Sequence, residues 1–171
     1  GNPGSEYENT RHNSGRIVVG MIEKKLGQEN NKQKIKFITP DTFMNNSGKV
    51  VAPLIKAKKD LKDLVVIHDD IDLPLGTIKI SYNKGTGGHR GLDSVVKAVK
   101  TKEFVRVRIG ISPPASAKAT AGKVKKPQGE KAVIDFILSK FKSAEMEIMK
   151  KTFKKVSEAI QTIVTDGRDR A

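Results

Sequence analysis

The sequence predicts an α/β fold built as a single domain over residues 1–171, with a mostly parallel sheet. The length of 171 residues suits one domain and allows burial of roughly 70% of the unfolded surface. Strand-like and helix-like segments alternate along the chain, as they do when helices cover a parallel sheet. Residues 64–68 form a short continuous apolar run, which is typical of a strand buried on both faces.

The first half of the chain predicts two helices around a further strand. The first helix has Asn13 or Ser14 as its N-cap, followed by apolar residues at helical spacing. Residues 35–39 predict a strand, and residues 46–58 predict the second helix. Pro53 lies inside that helix and is expected to bend it or to start a fresh turn, because proline lacks the amide hydrogen.

The second half predicts two more strands and three helices. Residues 77–82 predict a strand, a glycine-rich loop follows, and residues 92–99 predict a helix. At 105–111 apolar residues alternate with Arg, Arg and Gly, so this strand is expected to have one covered face. Two amphipathic helices, at 131–138 and 144–165, complete the chain.

The chain is strongly basic. Lys and Arg number 33 against 19 Asp and Glu, which gives a formal net charge of +14 and a pI near 9.9. Half of the excess lies between residues 115 and 155, where eleven Lys stand against four acids. Such a segment attracts polyanions, with nucleic acid first and an anionic membrane surface second. The alternative interpretation is a solvated lysine-rich surface that only keeps the protein soluble.

The sequence excludes several kinds of site. It has no cysteine, so disulfides, thiolate nucleophiles and cysteine-ligated metals are ruled out. It also lacks the G-x-S-x-G elbow, the Walker lysine motif and the H-E-x-x-H zinc pair. The longest apolar run, residues 17–22, is too short to cross a bilayer, and no signal-peptide pattern is present. We therefore expect a protein of the cytoplasm or an organelle matrix, with no membrane partner.

Polar side chains cluster where the predicted elements end, and all three histidines are among them. His12 precedes the first helix, His68 and Asp69 close the buried strand, and His89 lies between the glycine-rich loop and the next helix. Loops at the carboxyl ends of strands form the ligand crevice of an α/β sheet, so these loops could converge. The alternative for each histidine is a helix cap or a surface residue. Together they suit ester hydrolysis without a covalent intermediate, in which an imidazole activates water, a carboxylate orients the imidazole and carboxamides bind the oxyanion.

Four ordered motifs carry a resemblance to a known family. They are G-N-P-G-x-x-Y-x-x-T-R-H-N-x-G at 1–15, T-F-M-N-x-S-G at 42–48, H-D-D-x-D-L-P-x-G at 68–76 and G-G-H-R-G-L at 87–92. In the same order, they resemble the signature blocks of bacterial-type peptidyl-tRNA hydrolases. R-V-R-I-G-I-S-P-P and F-I-L-S-K-F fit the same pattern, so the resemblance covers nearly the whole chain.

The resemblance implies a role for each matching residue. His12 would be the general base that activates water, and Asp69 would be its orienting carboxylate. Asn2 would sense a blocked, peptide-like nitrogen, and Asn45 would hold the substrate near the scissile ester. The other residues that the resemblance places in the cleft or at its rim are Tyr7, Phe43, Met44, His89 and Arg90. The residues expected to meet phosphates of the tRNA acceptor stem are Lys118, Lys123, Lys125 and Lys126. No metal or organic cofactor is implied.

The resemblance also implies an α/β/α domain with a mixed sheet that acts as a monomer. This sequence departs from the family pattern in several places. The family carries a hydrophobic strand before G-N-P-G, so we hypothesise that the sequence is a fragment at its start. The polar residues 28–33 replace a hairpin strand or bridge missing residues, and residues 115–131 form a longer basic loop or lid. Arg90 stands where many members have Asn, which adds a charge and removes an acceptor.

These features predict an enzyme that hydrolyses the ester between peptide and tRNA in peptidyl-tRNA and so recycles tRNA from stalled translation. The alternative is a non-catalytic RNA-binding relative, such as a splicing cofactor or a ribosome-associated protein. Arg90 and the lysine-rich segment mildly favour that alternative. Pure RNA binding, however, needs none of the four residues His12, Asp69, Asn2 and Asn45.

Overall fold

The computed structural model of the protein describes residues 1–28, 35–113, 124–167 and 170. Within these residues the helices are α1 (Ser14–Gln28), α2 (Ser47–Val51), α3 (Arg90–Val99), α4 (Glu130–Leu138) and α5 (Ser143–Asp166). The strands are β1 (Val65–Pro74), β2 (Ile78–Tyr82) and β3 (Val105–Ser112). Short 3₁₀ turns occur at Ser5–Tyr7, Arg11–Asn13, Met44–Asn46, Ala52–Leu54 and Lys58–Asp63.

The strands form a mixed sheet with β3 in the middle. Their order is β1-β3-β2, with β1 parallel and β2 antiparallel to β3. Near the carboxyl ends of the parallel pair, Asp69 lies opposite Ile109 and Asp70 lies opposite Gly110. The predicted α/β class with a mixed sheet is confirmed, and the carboxyl end of β1 is the edge that carries polar residues.

Helices cover both faces of this sheet. Alternate side chains of a strand point to opposite faces, and Val66 and Ile67 of β1 accordingly join different apolar clusters. Ile67 packs with residues of α1 and α5, including Val18 and Phe153. Val66 packs with residues of α2 and α3, including Leu92. Because each fully buried side chain of this size contributes about 1.5–3 kcal/mol, the two clusters hold the helices firmly against the sheet.

The prediction that β3 has only one covered face is wrong. Val107 and Ile111 are 0% exposed, but Arg106 on the opposite face is also only 1% exposed. The Arg106 guanidinium lies 4.8 Å from the centre of the Phe104 ring, and its Nη1 donates to the carbonyl of Gly85 at 2.8 Å. The alternation in the sequence therefore marks a buried arginine in a central strand, whose second face is covered by other parts of the chain.

The prediction of a strand at residues 35–39 is also wrong. Residues 35–40 are assigned no strand, although Ile35 and Phe37 pack against the core. Apolar content alone does not make a strand, because a strand also needs a hydrogen-bonding neighbour. The predictions for residues 28–33 and for the lid at 115–131 fall largely outside the described residues. No helix in the described part of the chain has the length and apolar content needed to cross a membrane.

The second predicted helix is shorter than expected. α2 ends at Val51, and the chain then passes through a 3₁₀ turn that contains Pro53 into extended backbone at Ile55. The missing amide hydrogen of proline ends the regular hydrogen bonding here. Within α2, a Cβ at Gly48 would lie 2.1 Å from the carbonyl oxygen of Ser94. Glycine at this position therefore allows α2 to pack directly on the backbone of α3.

Candidate active site

Asp69 and His12 meet at the carboxyl end of β1. Asp69 is 5% exposed and His12 is 2% exposed. His12 Nδ1 lies 2.9 Å from Oδ1 and 3.0 Å from Oδ2 of Asp69. Two residues that are 57 positions apart in the sequence thus form a buried imidazole–carboxylate pair.

Gly15 lets the turn that carries His12 approach β1. His12 lies in the 3₁₀ turn directly before α1. A Cβ at Gly15 would lie 2.4 Å from the carbonyl oxygen of Ile67, which is closer than a side chain can come to a backbone atom. The start of α1 therefore lies against β1 two residues before Asp69, and this contact brings the imidazole within hydrogen-bonding distance of the carboxylate.

Arg11 anchors the same turn on another side. Its Nη2 donates to both carboxylate oxygens of Glu145 at 2.7 Å, and its Nη1 donates to the carbonyl of Lys140 at 2.7 Å. The guanidinium also lies 4.8 Å from the Phe136 ring centre and 5.0 Å from that of Phe141. A charge that is 4% exposed needs such partners, and together they fix the His12 turn relative to α5.

The contact with Asp69 determines which nitrogen of His12 carries a hydrogen. An ionised carboxylate only accepts hydrogen bonds, so Nδ1 of His12 is the donor. Nε2 then has a free lone pair, and it is buried without a hydrogen-bond partner among the described residues. Because His12 lines a cleft, this nitrogen can take a proton from a water molecule bound there.

Asp69 is ionised and His68 is neutral near pH 7. Burial raises the pKa of the Asp69 carboxyl, but the charges and hydrogen bonds of His12 and His89 outweigh burial and hold that pKa well below its ordinary value. Burial, with the charge of His89 as the next cause, lowers the pKa of His68 to about 3. Nδ1 of His68 donates to the backbone carbonyl of Asp69 at 2.6 Å.

His89 lies inside the site rather than at its rim. Its Nε2 is 3.0 Å from Oδ1 of Asp69, and its side chain is 14% exposed. The centre of its ring is 5.3 Å from that of His12 and 4.9 Å from that of His68. The fold therefore gathers all three histidines around Asp69, two at its carboxylate and His68 at its backbone carbonyl, although only His12 and Asp69 were expected to act together.

Asn2 is held by a pair of backbone hydrogen bonds with Asn13. The Asn2 N–H donates to Asn13 Oδ1 at 2.8 Å, and Asn13 Nδ2 donates to the Asn2 carbonyl at 2.9 Å. The side-chain Oδ1 of Asn2 accepts from the backbone N–H of Met44 at 3.0 Å. This last bond orients the carboxamide, so its Nδ2 is the group that remains to donate into the cleft that Asn2 lines.

The cleft has a volume of about 830 Å³. Asn45, which the resemblance assigns to the substrate, lines it and is exposed. Phe43 and Met44 line it as well, and Phe43 is 55% exposed. Tyr7, which the resemblance placed in the cleft, is not among the residues that line it and instead contacts Phe43 edge-on, with ring centres 6.2 Å apart. The apolar side chains that α4 contributes to the wall are Val133, Ile134, Ile137 and Leu138.

Arg90 lies at the edge of the same cleft. It is the first residue of α3, and its guanidinium pairs with Glu130, the first residue of α4. Both side chains line the cleft, with 60% and 74% of their surfaces exposed. The ion pair therefore connects the amino ends of two helices through solvent-exposed groups.

The predicted phosphate-binding lysines are only partly described. Lys126 Nζ lies 2.5 Å from a carboxylate oxygen of Asp72, and this contact raises the pKa of Lys126 through the hydrogen bond and the charge of Asp72. Lys125 is exposed. Lys118 and Lys123 lie outside the described residues.

Several residues that shape the site were not predicted to belong to it. Asn13, expected only as a helix N-cap, and Gly15 lie inside the first motif, so their position near His12 was the available signal. Arg106 and Arg108 also line the cleft. Arg108 Nε donates to Oδ2 of Asp70 at 2.6 Å. Their alternation along β3 was interpreted as an outward face, which concealed their contribution to the cleft.

One group of side chains among the described residues has the composition of a metal site. The candidate ligand atoms of His12, Asp69 and His89 lie within 4.8 Å of one another. A metal on Nε2 of His89 would leave the hydrogen on Nδ1. That nitrogen, however, accepts hydrogen bonds from the backbone N–H groups of Gly91 and Leu92. The hydrogen bonding therefore opposes a metal at this position.

The fold and the site together define an α/β protein with a histidine–carboxylate centre suited to activating water. A profile of the peptidyl-tRNA hydrolase family matches residues 1–171. The chain therefore belongs to the peptidyl-tRNA hydrolase family, which confirms the resemblance that its motifs carry.

Individual relatives agree with this assignment. A peptidyl-tRNA hydrolase of Carboxydothermus hydrogenoformans is 39% identical over 186 residues, which cover 100% of this chain and 92% of that protein. One from a Hydrogenobaculum species is 39% identical over 171 residues, covering 92% of this chain and 84% of that protein. The crystal structure of peptidyl-tRNA hydrolase from Acinetobacter baumannii gives a TM-score of 0.77 at 28% identity, covering 99% of this chain and 87% of that one.

Proposed function

We propose that this protein hydrolyses the ester bond between peptide and tRNA in peptidyl-tRNA, which recycles tRNA from stalled translation. The observation that carries the proposal is Nε2 of His12, which is buried without a partner while Nδ1 is bound to Asp69. A buried polar atom without a partner costs stability. A site that must take a proton from water gives that atom a use, whereas RNA binding alone does not.

The reaction follows from the orientation of His12. Its Nε2 takes a proton from water as the water oxygen adds to the ester carbonyl carbon. Asp69 accepts a hydrogen bond from Nδ1 and stabilises the imidazolium that forms. When the tetrahedral intermediate collapses, the ribose oxygen leaves with the proton that His12 returns. The products are a peptide with a free carboxylate and a tRNA with a free terminal hydroxyl.

Asn2 and Asn45 bind the peptide part of the substrate. Because Oδ1 of Asn2 already accepts from Met44 N–H, the free Nδ2 donates to a carbonyl oxygen. An amino acid whose nitrogen is blocked by an acyl group has such a carbonyl, and a free aminoacyl group lacks it. Asn45 donates from the adjacent wall of the cleft, Phe43 and Met44 provide apolar cover, and Tyr7 contacts Phe43.

The tRNA part of the substrate is bound mainly through charge. The net charge of +14 attracts the phosphate backbone without selecting a sequence. Arg90 at the edge of the cleft and the lysines at 118, 123, 125 and 126 are the proposed contacts. The guanidinium of Arg90 already forms an ion pair with Glu130, so a phosphate has to compete with that carboxylate for it.

The test is release of an N-blocked amino acid from tRNA by the purified protein. We expect wild-type protein to release it and to leave unblocked aminoacyl-tRNA largely intact. His12→Ala and His12→Asn should both lose turnover, with affinity for tRNA unchanged within a few-fold. His12→Asn is the matched variant, because its carboxamide retains a donor towards Asp69 and removes only the base. Turnover by His12→Asn at the wild-type rate would contradict the assignment of His12.

The alternative, a non-catalytic RNA-binding relative, receives no support from the relatives described above, which are hydrolases by name. We further propose that residues 1–171 form one domain that acts as a monomer in the cytoplasm. Sedimentation of the purified protein tests the monomer, because a dimer would sediment at twice the mass. Co-sedimentation with ribosomes tests whether the enzyme also binds to that assembly.

A further inference from the structure

His89 makes hydrogen bonds with both ring nitrogens. Nδ1 accepts from the backbone N–H groups of Gly91 at 3.1 Å and Leu92 at 3.2 Å, so His89 is the N-cap of α3. Nε2 lies 3.0 Å from Oδ1 of Asp69. One imidazole thus connects the amino end of a ten-residue helix to the carboxylate that orients His12.

These partners determine the tautomer of His89. A backbone N–H can only donate, so Nδ1 must present its lone pair to Gly91 and Leu92. The single hydrogen of the neutral ring is then on Nε2, where it is donated to Asp69. A flipped ring would place a carbon against the carboxylate, and the rings of His12 and His68, with centres 5.3 Å and 4.9 Å away, restrict that rotation.

The carboxylate of Asp69 is therefore held from two sides. Its Oδ1 accepts from His89 Nε2 and from His12 Nδ1, while Oδ2 accepts from His12 Nδ1 alone. A carboxylate bonded only to His12 could rotate about its own side-chain torsions and carry the imidazole with it. The second donor opposes that rotation, and the donor is itself fixed to the backbone of α3.

We propose that His89 is a positioning residue that fixes Asp69, and through it His12, instead of a residue that contacts the substrate. This inference rests on the proposed hydrolysis and deepens it. A helix cap alone would explain the bonds to Gly91 and Leu92 but not the bond to Asp69. A substrate contact alone would leave Nε2 free, whereas Nε2 is already engaged.

Two substitutions distinguish the role of Nδ1 as a helix cap from the role of Nε2 as a donor to Asp69. The carboxamide of His89→Asn reaches the position of Nδ1 and caps helices well, but it is too short to reach Asp69. The carboxamide of His89→Gln reaches the position of Nε2 and can donate to Asp69, but it caps poorly. We expect His89→Asn to keep the thermal midpoint and to lower kcat about tenfold to a hundredfold, with KM unchanged within twofold. His89→Gln should lower the thermal midpoint more and retain the larger share of kcat.

The opposite ranking of kcat, or equal kcat in both variants and wild type, would overturn the proposal and leave His89 as a cap. A rise in KM with kcat unchanged in His89→Asn would also overturn it, in favour of a substrate contact. A third measurement needs neither a variant nor activity. The ¹⁵N shifts of His89 in the wild type at neutral pH should show a hydrogen on Nε2 and none on Nδ1. A hydrogen on Nδ1 would refute the inference, and if the wild type released no amino acid, only the proposed function would fail.

Discussion

We expect the free energy of unfolding to fall as the pH is lowered from 8 to 5, because His68 is buried in its neutral form. The cause is first the burial of the ring and then the charge of His89, which together lower the pKa of His68 to about 3 against an ordinary value of 6.5. In the unfolded chain the ring takes up a proton below pH 6.5, whereas in the folded protein it stays neutral down to about pH 3. Protons therefore favour the unfolded state across this window.

The magnitude follows from this difference in pKa. One pKa unit corresponds to about 1.4 kcal/mol, so the contribution of His68 is complete above pH 6.5 and is reduced by about 2 kcal/mol at pH 5. Asp69 acts in the same direction but at lower pH. Its folded pKa lies well below 3.8, so its contribution is lost only as the pH falls below that value. Measurements between pH 8 and pH 5 therefore separate the contribution of His68 from that of Asp69.

Urea unfolding at several pH values measures the effect. The chain has no Trp, so far-UV circular dichroism is the suitable probe. The matched control is His68→Asn, whose carboxamide keeps a donor for the backbone carbonyl of Asp69 and cannot be protonated. Subtracting the free energy of unfolding of the variant from that of the wild type at each pH also removes the general effect of positive charge repulsion at low pH. A difference that stays constant from pH 8 to pH 5 would refute the reasoning, because it would mean that His68 titrates alike in both states.

Three further predictions concern orientation, packing and charge. Asp69→Asn should lower kcat on the order of 10³-fold or more, with tRNA affinity retained, because a carboxamide does not hold the imidazole in the required tautomer; a kcat within tenfold of wild type would contradict the orienting role. Gly48→Ala should destabilise the protein by about 1–3 kcal/mol in urea unfolding, because its Cβ would strike the backbone of α3. Gly20→Ala, in the open middle of α1, should instead stabilise it by about 0.5–1 kcal/mol, and equal effects would refute the packing argument. Lys125→Gln should reduce the slope of log affinity for tRNA against log salt by about one, whereas Lys126→Gln should change it less because of its carboxylate partner; an unchanged slope in both would make this segment solvated surface.

The pairing of His12 with Asp69 was implied by the family resemblance, whereas the residues alone predicted only that polar loops at the carboxyl ends of the strands converge. A carboxylate at the carboxyl end of a buried strand and a histidine in a motif before a helix are both visible in the sequence. The contact itself also needs Gly15, whose missing side chain lets α1 approach the carbonyl of Ile67. That glycine was visible, but its purpose depends on a neighbour more than fifty residues away, which periodicity along the chain does not reveal.

The predictions from the sequence failed where the structure of a segment depends on its contacts with distant parts of the chain. Residues 35–39 have apolar content but no strand assignment, since pairing and not composition makes a strand. Arg106 looked like a surface residue because charged side chains are rarely buried, yet here it lies against Phe104 and Gly85. The tautomer of His89 was equally invisible, because it depends on two backbone groups and one distant carboxylate.

Relative to the family pattern, Arg90 adds a charge and removes a hydrogen-bond acceptor. The ion pair with Glu130 determines what the added charge can do, because it draws the guanidinium towards α4. Both partners are more than half exposed, and exposed ion pairs contribute only about 0–1 kcal/mol. Glu130 therefore restrains Arg90 without neutralising it, and a tRNA phosphate can replace the carboxylate at little cost in free energy. The added charge of Arg90 therefore remains able to attract phosphate.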